Sequence, residues 1–159
     1  DYAFQECYSL TNISLPSGIK KISQLMFIKC YSLASITIPS SITSINTSAF
    51  SSCYALTSIN LPSSVTSLGT AFGFCYSLRN INLPSGITSL DSNTFNDCYS
   101  LQQVVINADS VITIQSNSFP TLAYNNKFYV PDNLVEDYKV ATNWVNFADR
   151  IYPLSSLGE

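Results

Sequence analysis

Five cysteines, Cys7, Cys30, Cys53, Cys75 and Cys98, recur at intervals of 23, 23, 22 and 23 residues, and a tyrosine follows each one directly. Thiols can ligate metals, form disulfides or act as nucleophiles, and regularly spaced aromatics can form a stacking surface. The 159-residue chain contains no histidine. That removes Cys-His and Ser-His-Asp nucleophiles, histidine general bases and most zinc or iron centres. Thiolate metal sites also need ligands that converge tetrahedrally, whereas one cysteine per repeat makes a row. Five is an odd number, and parallel Cβ vectors one stacking distance apart suit disulfide geometry poorly. The expectation is a buried ladder of reduced thiols, with no metal and no cofactor.

The rest of the chemistry-bearing residues are sparse. Asp91, Asp97 and Asp109 fall at different positions of their repeats, so no paired-carboxylate geometry follows. Asp109 lacks the alternating acidic pattern of a calcium loop. Lys20, Lys21 and Lys29 make a small basic spot that reads as a solubilising surface. No glycine-rich phosphate loop or nucleophile elbow is present, and the chain is not expected to be an enzyme. Asn12-Ile13-Ser14 and Asn46-Thr47-Ser48 match glycosylation sequons, a short pattern that arises by chance in such a composition. The net charge of −3 argues against a nucleic-acid partner. No residue between Tyr31 and Leu78 is charged, yet Ser, Thr and Asn interrupt that stretch too often for membrane insertion.

The elements that must position the cysteines are written into the same period. Three residues after the leucine of each Cys-Tyr-Ser-Leu tetrad (Ala55 replaces Ser once) stands Ile13, Ile36, Ile59, Ile81 or Val104. Two further on comes Leu15, Ile38, Leu61, Leu83 or Ile106, then Pro16, Pro39, Pro62 or Pro84, with Asn107 in the fifth unit. Ile19, Ile42, Val65, Ile87 and Val111 follow, then Ile22, Ile45, Leu68, Leu90 and Ile114. Phe4, Phe27, Phe50, Phe72, Phe95 and Phe119 precede the next cysteine position. A unit this short cannot bury a core alone and must stack on its neighbours. Leu-x-x-Ile-x-Leu alternates like a short strand that proline ends, and stacking sets such strands parallel at about 4.8 Å. Phe-x-x-Cys suits one helical turn on the opposite side, with Phe and Cys facing inward. The third unit is one residue short near Gly69 and the fifth one residue long before Val111; both changes fall between apolar anchors.

Leu33-x-x-Ile36-x-Ile38-Pro39-x-x-Ile42-x-x-Ile45 followed by Ala49-Phe50-x-x-Cys53 resembles the BspA-like subclass of leucine-rich repeats of bacterial surface proteins. The resemblance implies a leucine-rich-repeat solenoid, right-handed, with a parallel sheet on its concave side and turns or helical turns on the convex side. It also implies a secreted or cell-surface protein used in adhesion or recognition. Tyrosine after every cysteine departs from the small polar residue usual there.

The repeats are expected over residues 1–131, with the first coil incomplete, and a cap over 132–159, helical across 132–152. After Phe119 the pattern fails, with Leu122 where a cysteine is due, but Phe128-Tyr129-Val130-Pro131 reads as a last strand. Asp132 is placed as an N-cap; Leu134, Tyr138 and Ala141 form one helical face, and Trp144, Phe147, Ala148 and Ile151 a second. The chain begins inside a unit, which suggests a fragment of a longer protein or self-association through the uncapped first coil.

Two surfaces are candidate ligand sites. On the concave face the outward rows hold Ser14, Thr37, Asn60, Asn82 and Val105; Asn80 and Gln103; and Arg79 with Gln102. Short hydroxyls and amides there fit a polar ligand or satisfy one another. Along a coil edge, Tyr8, Tyr31, Tyr54, Tyr76 and Tyr99 form either a stacking platform or a stabilising column. The function expected from the resemblance is extracellular binding of a protein or glycan; the alternative is a structural spacer without a ligand.

Overall fold

The computed structural model describes residues 2–120 and 125–158, so Leu122 lies outside the described residues. Strands of two to four residues recur once per coil at Asn12–Ser14, Ser35–Thr37, Ser58–Ile59, Asn80–Leu83, Gln103–Ile106 and Lys127–Val130. Their pairing is parallel, with Asn80 opposite Gln103, Ile81 opposite Val104 and Lys127 opposite Gln103, and the row divides between Ser35–Thr37 and Ser58–Ile59, the larger part being the first sheet. Within Asn80–Leu83 the side chains alternate exposed and buried, as the Leu-x-x-Ile-x-Leu pattern requires.

A second row of strands runs beside the first at Lys21–Ile22, Ser44–Ile45, Ser67–Leu68, Ser89–Leu90 and Thr113–Ile114. It is also parallel, with Ile22 opposite Ile45 and Ile45 opposite Leu68. It divides after Leu68, next to the shortened unit, into a three-stranded and a two-stranded part. Gly69 is needed at that point. A Cβ there would lie 2.8 Å from the Thr47 backbone nitrogen of the preceding coil, while the Gly69 N–H donates to the Ile45 carbonyl at 2.8 Å.

The Phe-x-x-Cys segment is a third ladder rather than a helical turn. The Cys30 N–H does reach back to the Phe27 carbonyl at 3.2 Å, but Leu25 and Lys29, on either side of Phe27, are left-handed at φ 59° and 58°. The same conformation recurs at Glu6, Ser48, Ser52, Phe74, Asn93 and Asp97. Each such residue costs about 1–2 kcal/mol in a side-chain-bearing position. The distortion turns alternate N–H groups toward the next coil: Leu25 donates to Thr47, Phe27 to Ala49 and Lys29 to Ser51, at 2.8–3.1 Å. Each bond contributes about 0.5–1.5 kcal/mol, so the three bonds around Phe27 together are comparable with the strain of its two left-handed neighbours.

Between the three ladders lies a continuous apolar column. Phe27, Phe50, Phe72, Phe95, Cys30, Cys53, Cys75, Leu33, Leu56 and Leu78 have no exposed surface. The phenylalanines from Phe4 to Phe119 stack with centroids 5.2–5.6 Å apart and planes within 6°. In the first coil Phe4, Cys7, Leu10, Ile13, Leu15 and Ile19 are only partly buried.

At the other end the chain covers the last coil. One α-helical turn and a half, Val135–Val140, is flanked by 3-10 segments at Asp132–Leu134 and Trp144–Arg150. Asp132 does not cap the helix: its carboxylate accepts the Ser155 N–H at 3.0 Å, and the Ser155 side chain, followed by that N–H, holds its pKa below the usual value. Ile151 is not helical either. Ile151–Pro153 is a strand that pairs in parallel with Lys127–Val130 and extends the first sheet by one. Buried Tyr138 and Trp144 close the second row through hydrogen bonds. The Trp144 Nε1–H donates to the Ile112 carbonyl at 2.8 Å, the Tyr138 hydroxyl accepts the Ile112 N–H at 3.1 Å, and Asn143 Nδ2 donates to the Ile114 carbonyl at 2.7 Å. Backbone groups that would otherwise form a free strand edge are thereby satisfied.

Two alanine substitutions separate close coil contact from loop freedom. Gly69→Ala should destabilise by about 1–3 kcal/mol, because the added Cβ meets backbone. Gly18→Ala, with nothing within 4 Å of the new atom, should leave stability unchanged or raise it by about 0.4–1 kcal/mol. Denaturant unfolding of the two variants beside the parent checks both.

Candidate functional site

From Cys30 onward the cysteine ladder is buried. Each thiol from Cys30 onward donates to the carbonyl of the phenylalanine one coil back: Cys30 to Phe4, Cys53 to Phe27, Cys75 to Phe50 and Cys98 to Phe72, at 3.1–3.3 Å. All five cysteines are free. Burial pushes the Cys30 thiol up to about 11 and raises Cys53 and Cys75 as well. A protonated thiol is a poor nucleophile and a poor ligand, so this row contributes packing.

The tyrosine ladder is a second ring column, on the surface. Successive centroids from Tyr8 to Tyr99 are 5.0, 4.6, 4.9 and 5.9 Å apart, with planes within 19°. The Tyr8 hydroxyl donates to Glu6 at 2.9 Å and the Tyr99 hydroxyl donates to Asp97. Those bonds raise the pKa of both phenols, while the Lys29–Glu6 ion pair of 2.8 Å, and after it the Tyr8 bond, lowers that of Glu6. Tyr31, Tyr54 and Tyr76 each spend both faces on neighbouring rings. A ligand approaching the column from outside therefore meets ring edges and hydroxyls.

On the outward face of the first row of strands Ser14, Thr37, Asn60, Asn80 and Asn82 are exposed and Gln103 is half-exposed; Arg79 is exposed too, but it precedes the strand and does not follow its alternation. Asn60, Asn80, Asn82 and Gln103 come together with Ser58 in one shallow depression of about 190 Å³. Ser14 and Thr37 pair with each other in the first two coils, away from that depression. Val105 departs from the polar row: it is 5% exposed. Its neighbour across the ladder is Tyr129, itself 7% exposed, and Tyr129 in turn packs on Tyr152 with centroids 5.9 Å apart. The outward row therefore changes from hydroxyls and amides to aromatics as it approaches the C-terminal end.

Two contiguous clefts occupy that end. The first, about 310 Å³, is lined by Asn80, Gln102, Gln103, Asn125, Lys127 and Tyr129. The second, about 370 Å³, shares Asn125 and Lys127 and adds Asn126, Arg150 and Tyr152. Lys127 Nζ sits 5.3 Å from the centre of the Tyr152 ring, and the Arg150 guanidinium lies over Phe147 at 5.0 Å. Asn126 has no exposed surface; its Oδ1 accepts a hydrogen bond from Arg150, and its Nδ2 is buried with no acceptor among the described residues. Leaving such a donor unmatched costs about 1–3 kcal/mol.

Lys127, Tyr129, Asn125, Asn126, Arg150 and Tyr152 are additions to the residues named from sequence. The alternation of Phe128-Tyr129-Val130-Pro131 carries the signal for Lys127 and Tyr129, which must face outward if Phe128 faces in. Nothing local marks Arg150 or Tyr152, which reach the cleft because Ile151–Pro153 joins the sheet.

Short parallel strands once per coil, a stacked phenylalanine spine and a capped last coil define a leucine-rich-repeat solenoid. Residues 1–126 match the BspA type Leucine rich repeat region in 6 copies, and the chain belongs to that family. It is similar in structure to a leucine-rich-repeat protein of T. pallidum (TM-score 0.65, 26% identity, 99% of this chain and 76% of that one). The pneumococcal vaccine antigen PcpA shares the fold at TM-score 0.75 and 23% identity, over 96% of this chain and 36% of that one. A leucine-rich cell-surface protein of Faecalibacterium prausnitzii matches at TM-score 0.53 and 26% identity, over 80% of this chain and 43% of that one. This chain thus spans less than half of the last two. No curated protein matches the sequence significantly.

The buried thiols give the alkaline behaviour a definite sign. In the unfolded chain a thiol ionises near its ordinary value of 9, whereas Cys30, Cys53 and Cys75 in the fold keep their protons to higher pH. Above pH 9 the unfolded state therefore binds fewer protons, and stability present below that pH is lost as pH rises. Denaturation midpoints measured from pH 8 to 11 should fall, and fall less steeply in Cys53→Ala/Cys75→Ala than in the parent. Equal slopes would contradict the assignment.

Proposed function

We propose that the chain is a surface recognition module, binding an extracellular protein or glycan through the outward face of its first sheet, centred on the C-terminal half. The observation that carries this reading is a change in that face along the stack. Its first coils repeat small hydroxyl residues, while its last coils gather long amides, a lysine and a tyrosine around the 310 Å³ cleft. A spacer selected only for stiffness has no use for that divergence, because a solenoid is stabilised by repeating the same contacts. A volume of this size, lined by convergent polar groups beside an aromatic, suits a ligand.

Catalysis is not assigned: among the described residues the lining holds neither a carboxylate pair nor a nucleophile beside a base. Location on a bacterial cell surface is part of the same proposal, supported by the family and by the similar F. prausnitzii protein, which is named as a cell-surface protein. The tyrosine column is read as a stabilising feature, since its ring faces are occupied by one another.

Binding to arrays of glycans and extracellular-matrix proteins tests the reading. Asn80→Ala/Gln103→Ala should weaken the strongest ligand at least tenfold, while Ser14→Ala/Thr37→Ala leaves it unchanged. No ligand on either array, or equal loss in both variants, would overturn the placement.

A further inference from the structure

The turn side of the solenoid carries one aromatic that the repeat does not call for. The residue before each cysteine is Glu6, Lys29, Ser52, Phe74 or Asp97, and all five are left-handed, at φ 57–62°. Four of them are polar; a bulky ring is the costliest choice for such a backbone. Phe74 is nevertheless 39% exposed. Its one ring contact among the described residues is with Tyr76, centroids 6.4 Å apart and planes at 89°. Tyr54 and Tyr99 already cover the two faces of Tyr76, so the Tyr76 edge meets Phe74 and the other Phe74 face has no ring against it. Neither burial nor stacking accounts for a phenylalanine at this position.

Phe74 is a wall of a depression of about 280 Å³ that crosses three coils. Gly73 leaves the depression open, where Gln5, Ile28, Ser51 and Asn96 stand in other coils. The backbone does not require that glycine. Its φ is not positive, and an added Cβ would make ordinary contacts, 3.8 Å from Ser51 Oγ and 3.9 Å from the Asn93 carbonyl oxygen. Around it stand the Ser48, Ser51 and Thr70 hydroxyls, which make no side-chain hydrogen bond to another described residue, and no described lining residue is charged. The amides of Asn93 and Asn96 complete the rim. Asn93 Oδ1 accepts from Asn117 and Asn96 Nδ2 donates to Asp97, both at 2.9 Å, which orients the two amides and leaves Asn93 Nδ2 and Asn96 Oδ1 for a ligand.

From this we infer that the depression beside Phe74 is a second binding site, for a neutral saccharide, with one sugar ring against Phe74 and its hydroxyls on Ser48, Ser51, Thr70 and the two amides. A pyranose offers an apolar C–H face and a rim of groups that both donate and accept. An exposed ring bordered by hydroxyls and amides is the complementary surface. An apolar side chain of a protein partner would cover Phe74 but strand the hydroxyls without partners, at the cost of their desolvation. An ionised sugar would find no opposite charge in the lining. None of these residues belongs to either row of strands, so the site is separate from the outward face of the first sheet and stands or falls without it.

Titration calorimetry on the intact chain tests the assignment, with neutral β-linked hexasaccharides of glucose, mannose and N-acetylglucosamine and a blocked peptide alternating leucine and serine. At least one sugar should bind. Phe74→Asn should weaken it at least tenfold, whereas Phe74→Tyr, which keeps the ring, should hold most of the affinity. Asparagine already occupies a left-handed position at Asn93, so the thermal midpoint of Phe74→Asn should equal or exceed that of the parent. Gly73→Ala, which narrows the depression without a clash, should also weaken binding, and Asn80→Ala/Gln103→Ala should leave it unchanged. Undiminished sugar binding by Phe74→Asn would overturn the site, as would a lowered midpoint, which would make the ring a packing residue. Binding of the peptide but of no sugar would overturn the saccharide class, and no binding by any probe would overturn the inference outright. Loss in Asn80→Ala/Gln103→Ala alone would overturn this site while supporting the sheet face.

Discussion

Every coil of this protein depends on the hydrogen bonds it exchanges with the coil on either side. A unit of 23 residues encloses too little to hold itself, so apolar burial and backbone satisfaction both come from stacking. Two of the three coil-to-coil ladders are ordinary parallel strands. The third is made where the chain turns, by residues held left-handed on both sides of Phe4, Phe27, Phe50 and Phe95 and on one side of Phe72, and it is the least expected part of the fold. Strain at Leu25 and Lys29 is what aims their N–H groups, with that of Phe27, at Thr47, Ser51 and Ala49. Behind that ladder the phenylalanine stack adds about 0.5–1.5 kcal/mol per ring pair beyond simple burial. Low charge follows from the same arrangement: inward positions must be apolar, and outward positions facing copies of themselves do better with hydroxyls and amides than with like charges.

The constraint loosens where stacking ends, and the chemical variety of the molecule is concentrated there. Past the fifth coil no identical neighbour dictates the outward residues. Lys127, Tyr129, Arg150 and Tyr152 can therefore differ from the repeat without disturbing it. The cap serves both purposes at once. Tyr138, Asn143 and Trp144 satisfy the last carbonyl and amide groups of the second row. Ile151–Pro153 meanwhile extends the first sheet and carries Arg150 and Tyr152 into the cleft. The clefts at the capped end are thus a consequence of where the repeat stops having to match itself.

Much of the fold is legible in the sequence because the buried residues obey a strict period. Phe50, Cys53, Leu56, Ile59 and Leu68 are found inside where their spacing puts them. The second strand row is not legible: a pair such as Ser44–Ile45 is too short for alternation to register. Nor are the left-handed positions, whose occupants range from Leu25 and Phe74 to Asn93 and Asp97 with no shared chemistry. Ile151 misleads because its spacing from Trp144, Phe147 and Ala148 mimics a helical face, whereas a vacant sheet edge beside Lys127–Val130 claims it for a strand. For the site, strand alternation points to Asn80, Asn82 and Gln103 directly. Val105 is buried against Tyr129, a tertiary contact that no local pattern announces, and the meeting of Asn126 with Arg150 is of the same kind.

Residue-resolved native-state hydrogen exchange tests most directly the claim that the turn side is a ladder as firm as the sheets. The amides of Phe27, Phe50 and Phe72 should exchange only through the opening that also releases Ile36, Ile59 and Ile81, giving matching protection free energies. If the phenylalanine amides exchange at the rate of an exposed loop while the strand amides stay protected, the third ladder does not hold the coils together and the account fails.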